Sequence, residues 1–359
     1  MSADLETLPA IVLRRARETP DRVALRKKHL GRWRTYTWGD YADRVTAVAR
    51  GLDALGVGPG DRVAVHADNR PAWLFADLGT QALGAVTVGL DPDATADEVA
   101  RLLREHRTKV LVAEDEEQVD KALEVRTKLR GLLRIVVMDP RGVDLDDELV
   151  ISLAQLEEIG RASSFDVAAR ATGTDADAPA VAISGAAELT HRDLASGTDA
   201  RAAALGVDGR TEILSTLSLW QLDERLVSVV DAVAQGAVVN FGENLDTFPQ
   251  DLREVQPTIF HGPAVLWDQM REGAEARMAD AGPLKRLVFR WGMASGRRRA
   301  AGRRGPGYAV GWLVLYRPLR QKLGLLRALG VVSGASSLPP EALAWFSAIG
   351  VPVREGYAA

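Results

Sequence analysis

Histidine is rare and cysteine is absent in this sequence, which limits the metal sites and nucleophiles that it could form. It contains five histidines, and no two stand at the i,i+4 spacing that places a pair of ligands on one helix face. They are His29, His66, His106, His191 and His261. The lack of cysteine excludes thiolate ligands, disulfides and a cysteine nucleophile, and Ser184-Gly185 does not fit the G-x-S-x-G pattern of serine hydrolases. We therefore expect no metal site and no nucleophile of these kinds.

The densest basic group is an arginine cluster that precedes an apolar, aromatic-bearing run at 309–316. The cluster consists of Arg297, Arg298, Arg299, Arg303 and Arg304. One interpretation is a solvated loop before a core helix. The alternative is a peripheral membrane contact, in which the arginines meet anionic headgroups and apolar side chains enter the interface. Those side chains would be Trp312, Leu313, Leu315 and Tyr316. No RNP, helix-turn-helix or zinc pattern accompanies the cluster, so nucleic acid binding is not expected.

The overall composition is that of a folded, slightly acidic protein. Its 359 residues are 47% hydrophobic and 26% charged, with a formal net charge of −4. This length accommodates two or more α/β units with buried cores. Arg14, Arg15 and Arg17 interrupt the apolar run that a secretory signal would need, and the run at 309–316 is too short to span a bilayer. We expect a cytoplasmic location, with peripheral membrane contact as the open alternative.

Helices and strands are predicted to alternate along the first half of the chain. Residues 9–19 have the pattern of a helix, and 23–38 that of two strands around a turn at Leu30-Gly31. Thr37 and Asp40 match a capping box at the start of the next helix, which Gly56 ends. Strands are predicted at 62–66, 85–90, 110–113 and 135–138, with helices at 71–83, 95–106 and 116–130. This alternation predicts a mostly parallel, doubly wound sheet.

A second series follows residues 160–178, which are rich in Ala, Ser, Asp, Thr and Gly and are predicted to be a connection. Its strands are predicted at 181–184, 212–219, 237–241, 258–260, 330–333 and 351–354, with a helix at 339–349. The expected fold class is therefore α/β, with two doubly wound subdomains at 1–175 and 176–359.

Three long segments carry a resemblance to a known family. Residues 36–90, 243–270 and 331–359 resemble, in the family's order, long-chain acyl-CoA synthetases of the AMP-forming, acyl-adenylating superfamily. The resemblance implies that the two subdomains are those of the N-terminal domain of these enzymes. It also implies that the chain stops before their β-barrel and C-terminal lid domain. Such synthetases activate a carboxylate with ATP and Mg²⁺ and then transfer the acyl group to CoA.

The family's phosphate loop, T-S-G-T-T-G-x-P-K-G-V-x-L-T-H, is shortened in this sequence. Between Ser184-Gly185 and Leu189-Thr190-His191 only three residues remain where the pattern has nine. The lost part contains the second glycine, the threonines and the lysine, which would supply backbone donors, hydroxyls and charge to a phosphate. Glu188 adds a negative charge there. Ser184 and Gly185 remain as family-equivalent positions of a degenerate cofactor site.

Near the acyl carboxylate the family resembles L-P-L-x-H-x-x-E-R, and residues 217–225 read L-S-L-W-Q-L-D-E-R. Gln221 replaces the histidine and Trp220 replaces a small residue. Glutamine can donate a hydrogen bond, but it cannot carry charge or relay a proton. The resemblance makes Trp220 and Gln221 candidate substrate-binding residues, and a packed strand end is the alternative.

The other cofactor-binding positions implied by the resemblance lie in two C-terminal motifs. The G-G-A-P-L loop corresponds to residues 333–338, with Gly334 and Ala335 in it, and E-G-Y-G-x-T-E begins as Glu355-Gly356-Tyr357. Tyr357 would offer the aromatic face for adenine. The family's Mg²⁺-binding glutamate and catalytic lysine do not follow before Ala359. We therefore expect no cofactor, with ATP or AMP and Mg²⁺ bound only where residual family activity survives.

Three functions remain open. The first is an adenylation-deficient relative that binds a fatty acyl group or a protein partner, such as a complete acyl-CoA synthetase. The second is a weak or partner-completed fatty acyl-CoA ligase. The third is a decayed gene product without activity. Sequence alone does not separate the first from the third.

Overall fold

The structure is a computed structural model that describes residues 6–183, 188–244, 246–303, 305–334 and 337–356. Its strands are β1 (Val23–His29), β2 (Arg32–Thr37), β3 (Arg62–His66), β4 (Val86–Leu90), β5 (Thr108–Ala113), β6 (Arg134–Val137), β7 (Val150–Ser152), β8 (Pro179–Ala182), β9 (Glu188–Thr190), β10 (Glu212–Ser215), β11 (Val238–Phe241), β12 (Ile259–Pro263), β13 (Gly330–Gly334) and β14 (Arg354–Glu355).

The helices lie between most of these strands. They are α1 (Leu8–Glu18), α2 (Trp38–Ala54), α3 (Pro71–Ala82), α4 (Ala96–Glu105), α5 (Glu116–Glu124), α6 (Leu153–Ala162), α7 (Val167–Gly173), α8 (His191–Ala195), α9 (Thr198–Leu205), α10 (Leu222–Arg225), α11 (Ala232–Gln235), α12 (Phe248–Val255), α13 (Ala264–Ala279), α14 (Pro283–Ala300), α15 (Gly307–Gly311), α16 (Arg317–Leu323) and α17 (Pro340–Ala348). Two π-helical segments, Leu226–Asp231 and Trp312–Tyr316, join α10 to α11 and α15 to α16.

The chain divides into two compact units. The first contains residues up to Lys27, Trp33–Thr198 and Ser218–Gly236. Its sheet has the order β7-β6-β5-β3-β4-β8-β9, and only the β8–β9 pair is antiparallel. One aliphatic core of this unit includes residues from β4, α4, β5, α5 and β6. Because parallel strands are buried on both faces, these strands are apolar almost throughout.

Helix α2 of the first unit is fixed by a capping box at its start and by a close contact with α6. Thr37 and Asp40 form the predicted capping box of α2, in which each side chain bonds the other residue's backbone N–H. Helices α2 and α6 approach closely at Gly51 and Gly160, where a side chain would collide with the backbone of the opposing helix. Glycine is therefore required at this crossing.

The second unit contains Lys28–Arg32, Asp199–Leu217 and the chain from Ala237 onward. Its strands run parallel in the order β14-β13-β12-β10-β11. Aromatic side chains fill its core, with Trp267 in edge-to-face contact with Phe260 at 5.0 Å and with Phe346 at 5.1 Å between ring centroids. Such pairs stabilise a core beyond the apolar area that they bury.

The α/β fold class is confirmed, and several predicted elements need correction. The segment 160–178 is not simply a connection, because Asp166 caps α7 and Val167 and Ala171 are buried. The strand predicted at 212–219 ends at Ser215, and the short strands β7 and β9 were not predicted. The division of the sequence at residue 175 stays a prediction about domains.

Candidate functional site

In the sequence, the shortened loop falls between β8 and β9 of the first unit. Residues Ala182 and Glu188 pair across the antiparallel strands, so residues 183–187 form the connection. The carboxylate of Glu188 forms an ion pair with the guanidinium of Arg62 in β3, with 2.5 Å between Oε1 and Nη2. Both side chains are about one-third exposed. The negative charge predicted at this position is therefore paired with the guanidinium beside it.

His191 follows directly after β9 and begins α8. Thr190 and Asp193 form the capping box of this helix. The imidazole of His191 is buried, neither ring nitrogen has a hydrogen-bond partner among the described residues, and burial lowers the pKa of the ring to about 4. A neutral histidine in this setting packs below the helix start.

The Trp220–Gln221 turn is fixed by backbone contacts within the first unit. The N–H of Leu219 donates to Oδ1 of Asn69 at 2.8 Å. Gly89, at the end of β4, faces the backbone of Trp220, whose Cα would lie 2.9 Å from a Cβ added at Gly89. Trp220 and Gln221 are both half-buried. Gln221 immediately precedes α10, and its side chain does not cap that helix.

A buried ion pair anchors the helix that follows this turn. Nη2 of Arg225 lies 3.1 Å from Oδ1 of Asp77, and both side chains are almost fully buried. Gln81 donates to the same carboxylate oxygen at 2.8 Å, and the Arg225 guanidinium stacks 4.6 Å from the ring centroid of Trp73. A buried charge needs such partners. The π-helical segment Leu226–Asp231, a form often found near functional sites, continues from Arg225.

The second unit places Gly334, Glu355 and Gly356 together at the carboxyl edge of its sheet. Gly334 ends β13 opposite Pro263 of β12, and a side chain at Gly334 would collide with the buried ring of His261. The Glu355 carboxylate accepts from the N–H of Leu338 at 2.7 Å, and the N–H of Gly356 donates to the carbonyl of Ser333 at 3.1 Å. These bonds tie the loop after β13 to the end of β14.

Three of the five arginines in the cluster are helical, which corrects the loop interpretation for this part of it. Arg297, Arg298 and Arg299 form the last turn of α14. The Arg299 guanidinium lies over the ring of Tyr308 at 4.5 Å. Arg303 is exposed after the helix.

Two apolar residues predicted to enter a membrane interface are instead buried. Leu315 is 8% exposed and Tyr316 is fully buried, with its hydroxyl donating to the carbonyl of Gly292 at 2.6 Å. Trp312 is half-buried, packs against the core and stacks 5.3 Å from the Arg320 guanidinium. Of the predicted interfacial side chains, Leu313 is the one that is largely exposed.

Several predicted site residues lie outside the described residues: Ser184, Gly185, Ala335, Tyr357 and Arg304. Within the described ranges, no three acidic, histidine or cysteine side chains converge in the way a metal ion requires. No helix among these residues is both long and apolar enough to cross a bilayer.

Comparison with known proteins defines the family. The family profile described as "AMP-binding enzyme" matches residues 12–359, and the chain therefore belongs to the AMP-binding enzyme family. Long-chain-fatty-acid–CoA ligase FadD15 of Mycobacterium tuberculosis is 26% identical over 98% of this chain and 60% of its own length. Long-chain-fatty-acid–CoA ligase ACSBG2 of Xenopus laevis is 22% identical over 99% of this chain and 52% of its own length. The chain thus spans between half and two thirds of these relatives.

Solved structures support the same fold. The A domain of carboxylic acid reductase from Segniliparus rugosus, in complex with AMP and a co-purified carboxylic acid, superposes with a TM-score of 0.75 at 20% identity. The match covers 100% of this chain and 61% of that one. The N-terminal domain of FACL13 from Mycobacterium tuberculosis gives 0.70 at 17% identity, over 99% of this chain and 76% of that one. At these identities the likeness establishes the fold.

Proposed function

We propose that this chain binds a fatty acyl group on the scaffold of an acyl-CoA synthetase N-terminal domain and does not adenylate it. The observation that carries the proposal is the ion pair between Arg62 and Glu188 at the shortened β8–β9 connection. A triphosphate needs uncompensated positive charge and backbone donors at such a strand end. Here Arg62, the cation that contacts the start of β9, already has the carboxylate of Glu188 as its partner.

The described residues do not fit a magnesium-bound triphosphate. The lysine and threonines of the family loop have no counterpart between Gly185 and Leu189. The Glu355 carboxylate is engaged by the N–H of Leu338. Gln221 cannot take part in proton transfer in the way that a histidine can.

Acyl binding is supported by what the chain retains. The fold belongs to a family whose relatives are named as long-chain-fatty-acid–CoA ligases, and a structurally similar domain was solved with a carboxylic acid. The bonds from Glu355 and Gly356 preserve the loop at the carboxyl edge of the second sheet, where open α/β folds place their ligands.

The first prediction concerns chain length. Because burial of a methylene contributes about 0.8 kcal/mol at most, affinity for saturated fatty acids should rise from octanoate to palmitate. Isothermal titration of the 359-residue chain measures this, with ATP·Mg²⁺ titrated separately and expected to bind more weakly than the fatty acids. Equal affinity across the series would contradict acyl binding. It would favour a protein partner or a decayed gene product instead.

The second prediction tests the paired charge directly. Glu188→Ala leaves Arg62 without its carboxylate, so inorganic pyrophosphate should bind up to about five times more tightly, as expected for one partly exposed charge interaction. Glu105→Ala is the matched control, because it removes the carboxylate of another surface pair, with Arg101 at 3.1 Å. Titration of pyrophosphate into the three proteins makes the comparison. Tighter binding in the control, or strong binding in the unmodified chain, would contradict the proposal.

A further inference from the structure

One segment of the sequence carries positive charge alone. No aspartate or glutamate occurs between Asp280 and Glu341, and the same sixty residues contain twelve lysines and arginines. The remainder of the chain therefore has 45 − 12 = 33 basic and 49 acidic residues, which gives it a net charge of −16. The whole chain has a net charge of −4. So strong a local excess is an electrostatic feature in its own right.

Helix α14, at the start of this segment, carries an apolar stripe that faces solvent. Leu284, Leu287 and Trp291 are between 43% and 74% exposed, and their spacing of three and seven positions places them on one helix face. The opposite face, with Gly292 and Met293, is buried in the second unit. The stripe has no core to pack against among the described residues.

The next helical stretch carries a similar stripe. Val310, Leu313 and Val314 are 52–68% exposed, and they run through α15 into the π-helical segment. The two stretches are packed together, because Gly292 of α14 meets Leu315 and its carbonyl accepts from Tyr316. We call these six exposed apolar residues, together with Lys285, Arg290, Arg297, Arg298 and Arg317, the basic helix face.

The basic residues of this face are available to an anionic partner. Arg298 lies in the register of the stripe on α14, seven positions after Trp291, and Arg317 begins α16 directly after the π-helical segment. Both are exposed, as are Lys285, Arg290 and Arg297, and none of these forms an ion pair with a described residue. On the neighbouring helix α13, Asp268, Glu272 and Glu275 are all held by Arg271.

We propose that the basic helix face docks on an anionic lipid surface. Exposed apolar side chains that include a tryptophan would enter the headgroup–acyl boundary, and the unpaired cations beside them would contact lipid phosphates. Two exposed apolar stripes on helical stretches that pack together are unusual on a protein without a partner. A nucleic acid would use the cations and leave the leucines in water, so a lipid surface accounts for both halves of the face.

The test is co-sedimentation of the full chain with vesicles of phosphatidylcholine alone or with about one third phosphatidylglycerol, at about 0.1 M salt. We expect binding to the anionic vesicles and at least about tenfold less to the neutral ones. Arg297→Ser/Arg298→Ser should lower partitioning by about 5- to 25-fold. Leu287→Ser/Leu313→Ser should also weaken it, and this loss should persist at low salt.

Matched controls separate lipid binding from general effects. Arg34→Ser/Arg130→Ser removes two other exposed arginines, and Leu30→Ser removes another exposed leucine. Both should bind vesicles like the unmodified chain, and all variants should retain its circular dichroism spectrum and unfolding midpoint. Equal binding to both vesicle types, or no loss in either face variant, overturns the proposal. Concentration-dependent dimerisation that the leucine variant abolishes would assign the face to a second copy instead. These outcomes are independent of whether a free fatty acid binds.

Discussion

Buried histidines give the folded chain a defined response to acid. His66, His191 and His261 are each at most 2% exposed, and burial lowers the pKa of each ring to about 4. An unfolded histidine has a pKa near 6.5. The unfolded state therefore binds more protons below that value, so stability that is fully present above about pH 6.5 is lost as the pH falls toward about 4.

The third prediction follows for His191. Between about pH 7 and pH 5, each such histidine should lower the free energy of unfolding by about 2 kcal/mol. His191→Gln removes one titrating ring, so the loss of unfolding free energy between pH 7 and pH 5 should be about 2 kcal/mol smaller than in the unmodified chain. Urea unfolding at both pH values measures this difference. His29 is exposed, and His29→Gln is the matched control for the loss of one imidazole. An unchanged slope in the His191 variant would show that another group is responsible.

Single-residue roles were only partly accessible from the sequence. The unfavourable charge of Glu188 was predicted, but its pairing with Arg62, 126 positions away, was not, because nothing in the local sequence specifies which distant residue contacts Glu188. The pair between Asp77 and Arg225 spans 148 positions and was missed for the same reason. Leu315 and Tyr316 were misassigned because an apolar run alone does not reveal which of its faces meets the core.

At the scale of elements, the fourth prediction concerns the turn at Trp220. This turn packs closely against Gly89 of β4. Gly89→Ala places a methyl group against the Trp220 backbone, and the strain should destabilise the chain by about 1–3 kcal/mol. Gly131→Ala is the matched control, because a Cβ there meets open space. Urea unfolding of both variants makes the comparison. Equal stability would mean that the turn shifts at no cost.

Elements were predicted well where periodicity and caps agree. The strand at 62–66 and the capping box of α2, formed by Thr37 and Asp40, lie where the sequence predicts them. Prediction failed where composition misleads. Residues 160–178 look like a linker, yet α7 forms there because Val167 and Ala171 find a core. The arginines at 297–299 look like a loop, yet α14 continues through them, with the buried Gly296 lying against Ala348 at the end of α17.

At the scale of the whole molecule, the fifth prediction is that the chain does not catalyse carboxylate-dependent pyrophosphate exchange. The loss of even one preorganised donor typically lowers a rate by about 10² to 10³, and the family loop has lost several here. Exchange should stay at the level of a protein-free blank with common fatty acids, while a complete long-chain synthetase serves as the positive control. Exchange clearly above the blank would restore the ligase interpretation.

The separation of charge along this chain also affects how a molecule would arrive at a charged plane. Residues 281–340 carry twelve positive charges, and the remainder carries a balance of −16, so an anionic plane attracts one part of the chain and repels the rest. The resulting torque acts only within about one Debye length, about 8 Å at physiological ionic strength. Orientation is therefore selected in the last nanometre or so of approach. Added salt should then slow capture more than it speeds release, because the apolar contacts made after arrival are not screened.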